Sequence, residues 1–551
     1  MWPLVKVHEG SPVVVMTAAS TSSRRIPALS VLAMTFAGGI ARTSTLISQV
    51  IVGNFLTERE VGTYAVAVGI TGFTVMLRGG GASHYLPTIS QADFDTSAGR
   101  IFWWGFWFRM LAALATFAVA FALPQFGLDD PPPRLAETLQ VFALSQVFLA
   151  FSVVGRIRMA VAQRFTALAR LDIANACFRV GATAILAWMG AGPLALVIPI
   201  AMAPAIECIY YLFNGTLGSI QYRWSGGTVG ETARLMAWPL VVSIILSLNS
   251  QSNFLIVKPM LALASMGVYY FAYQLASQPT MMLTGPLTNV LATHFANERG
   301  DKDRENQAVI QTTSGAVLFS SLLCCLLIAV FPSTERMLWG GKWADANMSI
   351  VALAGSGCWL TAVGLLSSAL AGLQRYKAMA SFEALKGLGI FAGAALGAIL
   401  VHMLHRGELG LPEELFGNYL QDATLADSTI VSVATGSCIA LMSVAQLAWL
   451  LFAHQARAGT IVRTVLQGPM LGAAAAGGAM LGGTAVAAAL LKVLPIGSVR
   501  GQALVECLIT TALYAVVALA IVRVTSAGAL RDAVLLLPSR PRALATRLLQ
   551  L

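Results

Sequence analysis

The chain has 551 residues, 57% of them hydrophobic and 11% charged, with a mean hydropathy of +0.74. Soluble domains carry about 25% charged residues, so this composition excludes a water-soluble surface and makes the lipid bilayer the solvent. A net charge of +10 would suggest nucleic acid as the partner of a soluble protein; in a membrane chain it asks instead which side holds the Lys and Arg, and nucleic acid is not an expected partner.

In chain order, residues 1–26 form an N-terminal tail. Its apolar run 12–16 is too short for a signal-peptide core, and the Arg24-Arg25 pair follows that run instead of preceding it, so the tail is expected to stay in the cytoplasm. A spanning helix needs about 20 mainly apolar residues. Fourteen segments answer to this: 27–55, 60–77, 101–123, 139–155, 172–190, 193–214, 235–257, 260–283, 307–331, 348–372, 384–403, 428–453, 465–490 and 501–523. They are continuously apolar, without the alternation of a membrane β-barrel, which predicts an all-α polytopic membrane protein. The expected organisation is a first six-helix lobe over 27–217, a second over 233–453, two extra helices over 465–523 and a cytoplasmic tail over 524–551. No connection reaches the size of a folded domain; the longest outer one, 402–427, is acidic and contains Pro412 and Gly417.

The basic residues test this count independently. With fourteen spans, 23 Lys and Arg fall on the side of the N-terminus, among them Arg24, Arg100, Arg156, Arg164, Arg304, Arg375 and Arg457. Eight fall on the opposite side: Arg59, Arg134, Lys258, Arg336, Lys342, Arg406, Lys492 and Arg500. The positive-inside rule then places both termini in the cytoplasm. The seven cysteines all lie in apolar stretches, without disulfide or zinc spacing, and neither a metal nor a cofactor is expected.

A shift of 205 residues lays Ile51-Val52, Leu56, Val61-Gly62-Thr63-Tyr64-Ala65 and Met76 on Ile256-Val257, Leu261, Met266-Gly267-Val268-Tyr269-Tyr270 and Met281. Spans 1–2 therefore resemble spans 7–8, and an even number of helices between copies makes the repeats parallel. Transporters commonly place their substrate path between such repeats.

Charges inside spans are costly and usually face a partner or a cavity. They are Arg42, Arg109, Asp172, Arg179, Glu207, Lys386 and Glu506. Arg42 lies mid-span with Thr45 and Gln49 at i+3 and i+7, one polar stripe on a helix. Its role is either a ligand contact or a structural pair with Glu207. Span 7 echoes the stripe with Ser243, Ser247, Asn249, Ser250 and Asn253, and span 8 holds Gln274, Gln278 and Pro279. Arg109 and Arg179 either line a cavity or reach for the near surface, and Asp172 reads as interfacial. The candidate binding set is Arg42, Thr45, Gln49, Arg109, Arg179, Ser250, Asn253 and Gln274; no catalytic residues are expected.

The run Phe55-Leu56-Thr57-Glu58-Arg59-Glu60-Val61-Gly62-Thr63-Tyr64-Ala65-Val66-Ala67 resembles the helix 1–2 junction of bacterial polysaccharide and O-antigen flippases of the multidrug/oligosaccharidyl-lipid/polysaccharide exporter superfamily. Met266-Gly267-Val268-Tyr269-Tyr270-Phe271-Ala272-Tyr273-Gln274-Leu275-Ala276, followed by Pro286-Leu287-Thr288-Asn289-Val290-Leu291, resembles their helix 8 region. The resemblance implies two six-helix lobes around a cavity, alternating access, and movement of a polyprenyl-diphosphate-linked oligosaccharide across the bacterial inner membrane for surface polysaccharide assembly. It also implies polysaccharide polymerase and assembly proteins as partners. Arginine suits a diphosphate because its guanidinium forks onto phosphate oxygens.

Two alternatives are weighed. A cation-coupled multidrug antiporter of the same superfamily generally uses an acidic residue in its first or seventh helix, where this chain has Arg42 and no acid. A membrane glycosyltransferase or polysaccharide polymerase would need a positioned carboxylate or His, for which only His402, His405, Glu408, Glu413 and Glu414 are candidates. The run Gly79-Gly80-Gly81-Ala82 lacks the Lys-Ser/Thr of a Walker loop. The chain is expected not to be an enzyme.

Overall fold

The computed structural model describes residues 28–75, 91–122, 132, 134–162, 164–217, 228–251, 253–297, 302–373, 375–406, 423–493 and 498–525. The expected N-terminal tail, the C-terminal tail beyond Thr525, the glycine run 79–82 and residues 407–422 with Glu408, Glu413 and Glu414 lie outside them. Regular structure among the described residues is helical: α1 Ala28–Phe55, α2 Glu58–Val75, α3 Gln91–Ala122, α4 Leu135–Val161, α5 Phe165–Trp188, α6 Leu194–Phe213, α7 Val229–Gln251, α8 Asn253–Val257, α9 Leu263–Ala276, α10 Gln278–Asn297, α11 Lys302–Trp339, α12 Ala346–Gly372, α13 Tyr376–His405, α14 Ala423–Ala453, α15 Ala458–Val493 and α16 Val499–Thr525. Each of the fourteen apolar segments overlaps a helix, and eleven helices among the described residues are long and apolar enough to cross a membrane. The face at which α1 begins is called the near face below, and the opposite one the far face.

Local chemistry sets several boundaries. α2 begins with a capping box, in which Thr57 N donates to Glu60 Oε2 at 2.8 Å and Glu60 N to Thr57 Oγ1 at 3.3 Å. Thr228 and Glu231 repeat the device at α7, at 2.9 and 3.2 Å. Such reciprocal bonds satisfy amide donors that the first helical turn leaves orphaned. One span departs from the sequence expectation. The eighth breaks at Ser277 and runs on to Asn297 instead of ending near 283, while α7 and α8 cover the seventh on either side of residue 252, which lies outside the described residues. Pro279, second in α10, stands where a missing N–H costs little, so it restarts the helix instead of kinking one. Pro239, by contrast, sits inside a continuous α7.

The helix packing repeats itself. α1 packs on α5 as α7 packs on α13, α3 on α4 as α11 on α12, α4 on α6 as α12 on α14, and α5 on α6 as α13 on α14. The two copies of the sequence repeat meet where α2 crosses α9. A Cβ on Gly62 would lie 2.0 Å from Leu263 O, and one on Gly267 would lie 1.9 Å from Glu58 O. These contacts exchange under the same 205-residue shift, so the repeat is a physical two-fold contact built on the one residue that lets two backbones touch. Between helices in lipid, where no hydrophobic drive favours one apolar neighbour over another, close approach at small residues does this work. Gly389, Gly393 and Gly397 form a stripe at every fourth residue of α13, and a Cβ there would meet Met442, Thr435 and Val431 of α14 at 2.9, 2.6 and 2.7 Å. Gly468 and Gly472 seat α15 against α11 in the same way, and Gly483 meets Thr510 of α16. The outer surface carries large exposed apolar side chains such as Trp188, Phe213, Phe452 and Leu481, which suits lipid and no aqueous solvent.

Candidate polar cavity between the repeats

At the far face a clasp joins the halves. The turn after α11 is made by Gly340 and Gly341, at φ 68° and 94°, conformations glycine adopts without penalty. It brings Lys342 Nζ to Gly53 O at 3.0 Å and Leu56 O at 2.5 Å, and Trp343 Nε1 to Gly53 O at 2.9 Å. These donors cap carbonyls at the end of α1, where a cation also meets the negative end of the helix dipole. Asn54 Nδ2 donates across to Leu338 O at 3.0 Å, and Trp343 stacks on Phe271 with centroids 4.1 Å apart. Burial lowers Lys342 below the usual lysine range, against the pull of Glu58 and Glu60. Burial also raises Glu58, an effect that Asp345 reinforces and Lys342 opposes.

Beneath this clasp lies a cavity of about 170 Å³, lined from α1 by Thr45, Ser48 and Gln49, from α5 by Arg179 and Thr183, and across the repeat by Gln251, Tyr270 and Gln274. Arg179 is the one charged residue in that lining. Gln274 Nε2 donates to Tyr270 Oη at 2.7 Å, and Tyr270 meets Tyr64 edge-on at 5.5 Å and 84°. A guanidinium among amides and hydroxyls, with no carboxylate lining the space, is an environment for an anion.

Four of the residues singled out from sequence, Thr45, Gln49, Arg179 and Gln274, thus share one cavity. Arg42 does not line it. One turn nearer the near face, its Nη1 lies 3.4 Å from Met281 Sδ, and Met281 belongs to the wall of a second cavity. That space, about 420 Å³, is lined by Asn249, Tyr273, Thr280, Glu383 and Lys386 together with many apolar side chains. Lys386 is ion-paired with Glu383, whose backbone carbonyl accepts from Asn249 Nδ2 at 2.8 Å. Arg109 is buried in α3, 4% exposed, and lines neither cavity. Asn253 is fully buried and donates to Tyr269 Oη at 3.2 Å, tying α8 to α9. The side chain of Ser250 is outside the described part of the structure.

The pairing considered for Arg42 with Glu207 is not the one present. Glu207 accepts from Ser152 Oγ and, at 2.7 Å, from Asn175 Nδ2, and lies 3.6 Å from Arg156 Nη1. Arg156 Nη2 also donates to both oxygens of Asp172, at 2.7 and 2.8 Å. Arg156 reads as a connection residue by hydropathy, yet α4 continues through it to Val161, and Asp172 is its ion-pair partner within the bundle. Glu506 is likewise paired, with Arg336 Nη2 at 2.7 Å. Thr183, outside the candidate set, also lines the first cavity; its place one turn beyond Arg179 on α5 is the signal in the sequence that points to it.

Fold and cavity define a polytopic helical membrane protein of repeated architecture, with a polar, arginine-bearing space between the repeats. The chain belongs to the polysaccharide biosynthesis protein family, whose profile matches residues 51–348. It is 23% identical over 243 residues to the amylovoran biosynthesis protein AmsL of Erwinia amylovora, covering 44% of this chain and 62% of that one. Over 352 residues it is 21% identical to the succinoglycan biosynthesis transport protein ExoT of Rhizobium meliloti (strain 1021), covering 63% of this chain and 70% of the relative. The chain therefore spans just under two thirds of the first relative's length. Among solved structures, the lipid II flippase MurJ in an inward closed conformation shares the fold with a TM-score of 0.61 at 13% identity, covering 89% of this chain and 99% of that one. An inward-facing multidrug resistance MATE family transporter follows with a TM-score of 0.53 at 12% identity, covering 77% and 99%.

Proposed function

We propose that the protein flips a polyprenyl-diphosphate-linked oligosaccharide across the bacterial inner membrane by alternating access, for surface polysaccharide assembly. The observation that carries this reading is Arg179 as the one charged residue lining the cavity between the repeats, with Thr45, Gln49 and Gln274 beside it. The name of the family, the transport role in the name of the Rhizobium relative and the flippase named among proteins of this fold support the same substrate class. A space of about 170 Å³ has room for a phosphate-sized group and not for an oligosaccharide, since each water occupies about 30 Å³ of liquid. In this reading the headgroup phosphate is held by Arg179, the sugars enter when the near side widens, and the polyprenyl chain stays in lipid. Arg42, one turn nearer the entrance, is the first cation the diphosphate meets. The lobes over 27–217 and 233–453 move against each other, both termini face the cytoplasm, and the chain acts without catalysing a bond change, alongside a polysaccharide polymerase.

The test is complementation of a deletion strain with variants expressed at equal level. Arg179→Gln removes polysaccharide export and Arg179→Lys retains part of it, because a lysine keeps the charge and loses the fork. Export by Arg179→Gln at the wild-type rate overturns the assignment. Export of an organic cation by the wild type, with surface polysaccharide unaffected by the deletion, selects the antiporter reading instead.

A further inference from the structure

A third cavity lies away from the repeat interface, on the near face, where α11 and α13 begin and α12 and α14 end. It measures about 340 Å³, and Lys302, Glu305, Arg375, Trp449, His454 and Gln455 are in its wall. Three features separate it from an ordinary helix-end crevice. The first is its charge. Glu305, 6% exposed, is engaged by Arg375 at 2.8 Å and faces His454 Nε2 at 3.6 Å. Arg375, with its side chain 49% exposed, answers that carboxylate, and Lys302 remains an additional cation in the wall. The wall therefore carries at least one positive charge in excess.

The second feature is depth. Trp449 is 60% exposed and packs its ring on Phe382 at 5.7 Å, and Phe452 beside it is 75% exposed. An exposed indole within the last turns of a spanning helix is what membrane interfaces select, since the ring is apolar and its N–H is not. On the same face Lys377 Nζ sits 5.9 Å from the centre of the Trp238 ring. The cleft wall thus joins the cations Lys302 and Arg375 to an exposed indole of the kind found at headgroup level.

The third is backbone. Gln455 has φ 59°, one of two non-glycine residues with positive φ among the described residues. It ends α14, with Ala456 N donating to Leu451 O at 3.0 Å. This is the position at which glycine is the ordinary choice. A residue with a side chain is kept there at conformational cost and lines the cleft, and strained positions of this kind gather at binding sites.

We propose that this cleft holds the phosphate of an acidic lipid of the near leaflet, with Lys302 and Arg375 as its cationic contacts, Gln455 as an amide donor and Trp449 against the glycerol and upper acyl region. The cleft lies outside the cavity assigned to transport and does not depend on that assignment.

The test uses the full-length protein in non-ionic detergent, incubated with phosphatidylglycerol or phosphatidylcholine, with retained lipids counted by native mass spectrometry. The wild type retains phosphatidylglycerol severalfold more than phosphatidylcholine, and Lys302→Gln reduces that retention severalfold. Gln455→Gly does the same while leaving thermal stability equal or higher, because it relieves the backbone; loss of fold therefore cannot imitate the result. Arg463→Gln, on the same face and absent from the cleft wall, leaves retention unchanged. Equal retention of the two lipids by the wild type, or unchanged retention in both cleft variants, overturns the proposal. An effect of Arg463→Gln equal to that of Lys302→Gln also overturns it, by showing general surface attraction. Displacement of the lipid by millimolar inorganic phosphate would assign the cleft to a soluble anion and overturn the lipid.

Discussion

Adding one methyl group at Gly62 tests the two-fold crossing directly. The new Cβ would lie 2.0 Å from Leu263 O, and its counterpart at Gly267 would lie 1.9 Å from Glu58 O. Carbon and oxygen tolerate approach to about 3.3 Å, so either substitution drives α2 and α9 apart by roughly 1 Å at their crossing. A gap of that size forfeits about a quarter to a half of each affected van der Waals contact, and overpacking of this kind costs about 1–3 kcal/mol. The two substitutions act on one crossing. Once the first has parted the helices the second meets less resistance, so the double variant should cost at least about 0.5 kcal/mol less than the sum of the singles. The assay is thermal inactivation of purified protein in detergent, read by fluorescence-detected size exclusion. Gly181→Ala serves as the control, because a Cβ there meets nothing and the exchange raises helix propensity by about 1 kcal/mol. The reasoning fails if Gly62→Ala is as stable as Gly181→Ala, or if Gly62→Ala and Gly267→Ala add in full.

The remaining expectations concern the other contacts. Gly393→Ile places a branched side chain where even a Cβ would meet Thr435 Cα at 2.6 Å, and should abolish accumulation of folded protein in the membrane, measured by detergent-resistant size exclusion. Arg156→Gln leaves Asp172 and Glu207 without their cation; because the arginine is partly exposed, a loss of about 1–3 kcal/mol is expected, and Arg156→Gln with Asp172→Asn should recover part of it in the same heating assay. Lys342→Met removes two hydrogen bonds from the end of α1 and should increase labelling of a far-face reporter cysteine. Closure should also respond to pH. Burial in the closed clasp raises Glu58 above its ordinary value, so the closed state binds that proton more tightly, and closure is favoured as pH falls from Glu58's raised value towards 4.5. Reporter labelling should fall across that range in the wild type and stay flat in Glu58→Gln; a flat wild-type profile refutes the clasp's part in it.

The sequence was most legible where apolar length decides the outcome. All fourteen segments overlap helices because a bilayer allows little else, and the Gly62 and Gly267 copies matched by a simple shift because they occupy equivalent places on one contact. The Thr45 and Gln49 stripe was readable from helical period alone. Hydropathy was a poor guide within two turns of a membrane surface. Arg156 looked like a connection residue because a charge lowers the local average, yet its helix continues and its partners come from α5 and α6, whose distance in sequence conceals them. The break at Ser277 was hidden for the converse reason, since an apolar run reads the same whether its helix is continuous or interrupted. Arg42 drew attention by depth, but depth does not say which face of a helix looks into the cavity, and the shared space selects Arg179.

The central claim is directional movement of lipid-linked oligosaccharide, and the leaflet distribution of that lipid tests it most directly. In cells depleted of the protein, lipid-linked repeat units should accumulate in the cytoplasmic leaflet, inaccessible to a membrane-impermeant glycosidase added to spheroplasts, and re-expression of the wild type but not of Arg179→Gln should restore access. An unchanged distribution on depletion, with surface polysaccharide still made, would contradict the account.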